Sequence, residues 1–174
     1  MNFAEYNVKD ANLEEILLAL KSLDTVEAVA LGGSRSTGAN DENSDYDIYV
    51  YCAEIPTAET RENLLGKYCS IAEFGNHYWE SEDNTVMNNG IPVDIIYREV
   101  DRFGRYIDTV IKGGKAFNGY TTAFWHNIKN SKVLFDKTGT FTKFRDMAQI
   151  DFPENLRSAI IKNNRNLLNG KLPS

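Results

Sequence analysis

Apolar residues near the start of the chain fall at helical spacing: Leu13, Ile16, Leu17, Leu20 and Leu23 line one face, and Asn12 with Glu15 three residues later forms a capping-box pattern. The spacing predicts an amphipathic helix. Residues 26–31 form a short β-prone run that ends at a double glycine, and residues 47–52 form a second, richer in β-branched and aromatic side chains. The Gly, Ser, Asn and Asp cluster between them reads as a loop. Residues 57–68 follow Pro56 and read as a helix, 71–74 as a short strand, and the polar, weakly periodic 75–90 as a long loop of the kind that often carries function. A strand pattern returns at 91–98, then a helix over 99–111 that Gly113-Gly114 stops, a helix over 120–130, an edge-like strand at 133–135 and a helix over 141–148.

Pro153 sits where proline is favoured at a helix start, and Leu156, Ile160, Ile161, Leu167 and Leu168 give the last segment an apolar stripe. That stripe needs a partner. It packs back onto the domain, opens a helical region that continues beyond this sequence, or pairs with a second copy as a homodimer. The organisation expected is a main domain over residues 1–151 and a C-terminal helical extension over 152–174. No internal repeat or low-complexity segment interrupts it.

A length of 174 residues, 42% hydrophobic and 25% charged, suits one soluble domain with at most a small appendage, able to bury a core without disulfides or structural metal. The net charge of −6 argues against a surface that grips nucleic acid nonspecifically, because such binding sets many Lys and Arg against phosphates. A small substrate or a protein partner fits better. Cys52 and Cys69 have neither a disulfide framework nor a zinc-ligand spacing around them, and are expected to be buried free thiols. There is no leader-like start and no apolar run near the roughly 20 residues needed to span a bilayer, so the expected location is the cytoplasm.

Candidate chemistry concentrates in Leu31-Gly32-Gly33-Ser34-Arg35-Ser36-Thr37-Gly38 and Ser44-Asp45-Tyr46-Asp47-Ile48. Residues two apart on a strand share a face, so Asp45 and Asp47 project together and repel unless a cation lies between them. Mg²⁺ is the natural candidate, since it prefers hard oxygen ligands and is commonly held by one or two carboxylates together with substrate phosphates. The Gly33-Ser34 turn lets backbone amides approach phosphate oxygens, Ser34 adds a hydroxyl, and Arg35 can neutralise phosphate charge. Asp94 interrupts the apolar strand at 91–97, where an unpaired carboxylate is costly to bury, and alternation puts it on the face opposite Val93, Ile95 and Tyr97. A third carboxylate there suits chemistry that uses two metal ions.

Gly33-Ser34, Asp45-Tyr46-Asp47-Ile48 and Asp94 resemble, residue by residue, the pattern of the nucleotidyltransferase superfamily typified by DNA polymerase beta. The form Gly-Gly-Ser-Arg with Ser-Asp-x-Asp is most similar to the bacterial branch that modifies aminoglycoside and lincosamide antibiotics. The resemblance covers residues 26–97. It implies an α/β (α+β) fold, a mixed central sheet flanked by helices, and two Mg²⁺ ions, with Asp45 and Asp47 binding both and Asp94 ligating the one that activates the acceptor hydroxyl. It also implies ATP or another nucleoside triphosphate as donor, and a small-molecule or protein acceptor. The acidic surface favours a cationic acceptor. An antitoxin-like minimal nucleotidyltransferase that binds or modifies a partner protein is the alternative, against which the length of chain after Gly113 counts.

Other residues invite chemistry less strongly. Ser44 reads as the cap of the turn before the strand. Tyr78 and Trp79 could stack on a base, but pinning a loop is as common a role. His126, beside Trp125, is tempting as a general base because histidine as a residue type serves that role near neutral pH, though a structural role leads. Glu73 ends a strand before the long loop and cannot be placed relative to Asp94, and Glu80, Glu82 and Asp83 read as a solvated acidic run.

Overall fold

A computed structural model describes residues 10–38, 41, 44–117 and 121–168. The first helix, α1 (Ala11–Ser22), starts two residues earlier than the capping-box pattern suggests. Asp10 is its cap, accepting hydrogen bonds from the backbone N–H groups of Asn12 at 2.9 Å and Leu13 at 3.3 Å. Its apolar stripe, Leu13, Ile16, Leu17 and Leu20, is buried against a sheet, each side chain contributing roughly 1.5–3 kcal/mol by leaving water.

The chain then runs β1 (Val26–Leu31), α2 (Gly33–Thr37), β2 (Tyr46–Cys52), α3 (Ala58–Leu65), a 3-10 turn (Gly66–Tyr68), β3 (Cys69–Asn76), β4 (Ser81–Met87), β5 (Pro92–Glu99), α4 (Val100–Ile111), α5 (Ala123–Asn130), β6 (Lys132–Asp136), α6 (Thr140–Ala148) and α7 (Glu154–Leu168). Six strands form one sheet in the order β3-β4-β5-β2-β1-β6. The β2–β5 pair is parallel and every other pair antiparallel, so this is the mixed sheet flanked by helices, an α+β fold. One face packs on α1 and on Leu65 of α3; the other packs on α4, α5, α6 and Leu156 of α7.

Two expectations fail here for identifiable reasons. The segment between β1 and β2 is not all loop, because residues 33–37 close one short helical stretch with Gly38 as a left-handed cap. The long loop expected over 75–90 instead contains a strand, β4, in the interior of the sheet. Its composition hides it: Asp83, Thr85 and Met87 are buried on one face while Glu82, Asn84 and Val86 point to the other. The buried polar groups have partners. Thr85 Oγ1 donates to the Val93 carbonyl at 2.9 Å, and Asp83 accepts from the Gly75 N–H at 2.9 Å and lies 3.3 Å from Arg61.

At the C-terminal end of the described chain, Leu156 is buried in the second core cluster and Ile160 packs against it, whereas Ile161 is exposed. The stripe thus begins by packing back onto the domain; the side chains of Leu167 and Leu168 lie outside the described residues, as does Tyr120 at the start of the helix expected over 120–130. Cys52 is a buried free thiol that burial pushes up to about 12, while Cys69 is free but only half-buried. Among the described residues no helix is long and apolar enough to cross a membrane.

Candidate active site

The sheet register builds the site. Asp47, the second residue of β2, stands opposite Asp94, the third of β5, in a parallel pairing that continues through Tyr49 with Ile96 and Tyr51 with Arg98. Residues in register on neighbouring strands share a face, so both carboxylates lie on the side covered by α4, α5 and α6. Asp45 is exposed and precedes the strand rather than belonging to it. The Asp47 carboxyl is half-buried and held above its usual value, first by burial, then by the charges of Asp45 and Asp94. Every charged group that moves it is another acid.

The glycine loop is locked to the same carboxylate. The Gly32 N–H donates to the Asp47 carbonyl at 2.8 Å. Gly33 has φ +60°, and a Cβ there would overlap the Asp47 carboxylate, so only glycine permits this approach. Ser36 Oγ and Thr37 Oγ1 fold back onto the carbonyls of Gly33 and Ser34, at 2.8 and 3.0 Å, and fix the short helix. Ser44 caps its turn as expected, its Oγ donating to Asp41 at 2.9 Å and accepting from the Asp41 N–H at 3.0 Å.

Arg35, expected to neutralise phosphate charge, also has partners within the protein. Its Nε donates to the carbonyls of Ser44 at 2.8 Å and Asp45 at 3.0 Å, its Nη2 also bonds the Ser44 carbonyl, and its guanidinium stacks 4.0 Å from the Tyr46 ring. A guanidinium engaged this way pins the backbone that carries Asp45.

Several polar residues at the site carry no sequence motif. Asn84 of β4 pairs with Asp94, and its Nδ2 donates to Asp94 Oδ1 at 2.9 Å. Asn76 Nδ2 donates in turn to Asn84 Oδ1 at 2.7 Å and to Glu73 Oε2 at 3.3 Å. Because Asn76 occupies the oxygen of Asn84, the Asn84 amide can offer only its NH₂ to Asp94. Glu73 is thereby placed: it pairs with Asn84, two strands from Asp94, roughly 10 Å at ordinary strand spacing.

The supposed solvated acidic run is three separate groups. Asp83 is buried against Arg61. Glu80 forms a two-pronged ion pair with buried Arg98, both contacts at 2.7 Å. Glu82 shares the face of Asp94, and burial, then Asp94, Glu80 and Asp83, raise it. The alternation of buried and half-buried positions over residues 81–87 belongs to the structure; the residues themselves carry no apolar period of two that would have revealed β4, Glu82 or Asn84.

Two clefts open on this side of the molecule, lined by neighbours of the three aspartates and not by Asp45, Asp47 or Asp94 themselves. The larger, about 1010 Å³, lies between the β3–β4 hairpin and the α4 and α5 side of the molecule, with Tyr49, Ile96, Glu82, Arg98, Trp79 and Phe124 among its walls. Tyr78 and Trp79, at that hairpin's tip, are 70% and 81% exposed. The Tyr49 hydroxyl accepts from Asn127 Nδ2 at 2.7 Å, which sets α5 over the sheet, and burial pushes Tyr49 up to about 12. The smaller cleft, about 200 Å³, lies between α2 and α5 and includes Gly33, Ser34 and His126.

Among the described residues no group of three or more His, Cys, Asp or Glu side chains forms a ready-made metal site. The donor set still suits Mg²⁺, which needs only one or two carboxylates when phosphates complete its shell. Asp47 and Asp94 supply hard oxygens on one face, with no cation among the groups that shift Asp47.

The model of the nucleotidyltransferase domain family matches residues 13–117. The chain belongs to that family. This nucleotidyltransferase is therefore an enzyme of the nucleotidyl-transferring kind, and the matched span holds the glycine loop and all three aspartates. A search of curated proteins finds no match. Among solved structures, one described as a toxin–antitoxin with AMP-PNP is 15% identical to it at a TM-score of 0.48, covering 90% of this chain and 95% of that one. A mutant of the toxin–antitoxin MntA–HpeT is 13% identical at a TM-score of 0.48, covering 92% and 98%.

Proposed function

We propose that this nucleotidyltransferase transfers a nucleoside monophosphate from a nucleoside triphosphate to a hydroxyl of an amine-bearing small molecule. The observation that carries the reading is Asp47 in register with Asp94 and pressed against a glycine that cannot bear a Cβ. Loop amides and the Ser34 hydroxyl hold the donor phosphates at the edge of the carboxylates. Asp45, Asp47 and Asp94 would hold Mg²⁺, which supplies the positive charge that lets three acids and a triphosphate share one site. Arg35 keeps Asp45 in place by pinning its backbone. Asn84 holds one oxygen of Asp94 and leaves the other to accept from the acceptor hydroxyl. The acceptor oxygen bonds the α-phosphorus, the bond to the bridging oxygen breaks, pyrophosphate leaves with the electron pair, and the hydroxyl proton passes to the Asp94 side. Most of the rate comes from positioning and electrostatics.

The larger cleft supports the acceptor assignment. Its volume of about 1010 Å³ suits a small molecule, its walls include Tyr49 and Ile96, each two residues beyond Asp47 or Asp94 on the same sheet face, and the charged neighbours that raise Glu82 on its wall are all acids. The Gly32-Gly33-Ser34-Arg35 form supports the antibiotic-modifying branch. Incubation with labelled ATP, GTP, CTP and UTP, Mg²⁺ and panels of aminoglycosides, lincosamides and proteins tests this. Label on an aminocyclic acceptor is the expected result. Label only on protein hydroxyls moves the acceptor to the antitoxin-like alternative, and no pyrophosphate release from any pair overturns the transfer reading.

A further inference from the structure

The small cleft has a chemistry opposite to that of the carboxylate face beside it. Apart from Gly33, every residue that lines it is Ser, Thr, Asn or His, and no carboxylate does. Most of its polar groups are already committed: Ser36 and Thr37 to α2 carbonyls, Ser131 Oγ to the Asn127 carbonyl, and Asn130 Nδ2 to the His126 carbonyl at 2.8 Å. Two side chains there remain uncommitted, that of Ser34 from α2 and that of His126 from α5. Neither hydrogen-bonds to a described residue.

His126 is exposed, yet its backbone is held firmly. Trp125 before it donates Nε1 to the Ala148 carbonyl at 2.8 Å, and Asn127 after it donates to the Tyr49 hydroxyl at 2.7 Å. Tyr49 is two residues beyond Asp47 on the same strand face, so α5 and the carboxylates keep a fixed relation. An anion entering beside Gly33 leaves the acids on one side and meets two free donors on the other.

We infer that His126 forms the second wall of a polyphosphate subsite, holding with Ser34 the β- and γ-phosphates of the donor, and hence pyrophosphate, rather than acting as the general base. The inference rests on the donor site proposed above. His126 is here a binding residue whose contact lies on the leaving group, away from the acceptor hydroxyl.

Calorimetric titration of the full chain in Mg²⁺ tests it, with inorganic pyrophosphate, the tightest-binding of ATP, GTP, CTP and UTP, and the corresponding monophosphate. His126→Ala is expected to weaken pyrophosphate and triphosphate about tenfold, the scale of one lost charge-assisted hydrogen bond, and to leave the monophosphate unchanged. His126→Gln, which keeps an N–H donor, is expected to recover part of the loss. Thermal melting checks that both variants are folded. Wild-type affinity for pyrophosphate and triphosphate in His126→Ala overturns the inference alone, as does equal loss of monophosphate binding. A wild-type chain that binds none of the three ligands overturns the donor site and this inference with it.

Discussion

The two ends of one sheet face treat charge in opposite ways. At one end Arg98 is buried, but Glu80 meets it with two contacts at 2.7 Å, and the rings of Tyr49 and Phe103 lie 4.4 and 4.5 Å from its guanidinium. Four residues earlier on the same strand, Asp94 pairs with Asp47, whose carboxyl is raised by burial and then by the charges of Asp45 and Asp94, with no protein cation to offset them. Charge met inside the protein is structural, holding the β3–β4 hairpin to the sheet. Charge left unmet is a standing cost that a cationic ligand relieves, and it marks the reacting end.

The sharpest break of this contrast is Asp47→Asn. Transfer is expected to fall by about a thousandfold or more in a labelled-NTP assay, on the scale seen when a reacting-site electrostatic group is lost. Near-wild-type turnover would remove the carboxylate assignment. Asn84→Ala comes next. It frees Asp94 from its fixed orientation, and kcat is expected to drop roughly 10- to 100-fold with the triphosphate KM little changed, as for other partners of ligating groups. A rise confined to KM would make Asn84 a nucleotide contact instead.

At the other end, Glu80→Gln leaves buried Arg98 without its counter-charge. The loss expected from urea denaturation is about 1–2 kcal/mol, below that of a fully buried pair because Glu80 is 38% exposed. The effect on kcat should be small, and a collapse of turnover at normal stability would tie this end to the chemistry.

The smallest effect separates the two ends by pH. Because the folded state holds the Asp47 carboxyl above its ordinary 3.8, Asp47 favours the fold below that value and loses this contribution as pH rises through the raised one. Without metal, Asp47→Asn is therefore expected to melt above the wild type at neutral pH, with the difference vanishing near pH 3.8. Melting below the wild type at neutral pH would show that the Asp47 charge is compensated after all.

Much of this was legible from particular residues. The stripe of α1, the β-prone runs on either side of the glycines, and Asp94 interrupting an apolar strand carried enough pattern to place those elements and to bring Asp94 to a strand beside that of Asp47, while the mixed sheet was what the family resemblance implied. β4 was not legible, because its buried face is Asp83 and Thr85, whose partners Arg61, Gly75 and Val93 come from elsewhere in the chain. The partners of Arg35 within the protein were not legible for a related reason: the Ser44 and Asp45 carbonyls that its guanidinium meets are brought to it by the fold, from nine and ten positions along the chain.

By itself the sequence determined the local and periodic features: which segments are amphipathic, where glycine is required, and which carboxylates stand at strand positions. These follow from one residue's neighbours in the chain, where spacing alone sets the side on which a side chain points. The tertiary structure alone decided which charges are met and which are left open, that Asn84 and Asn76 orient Asp94, and that His126 and Ser34 line one cleft. Those depend on distances of a few ångströms between residues up to about a hundred positions apart, and electrostatic and hydrogen-bond energies fall off over that same short range.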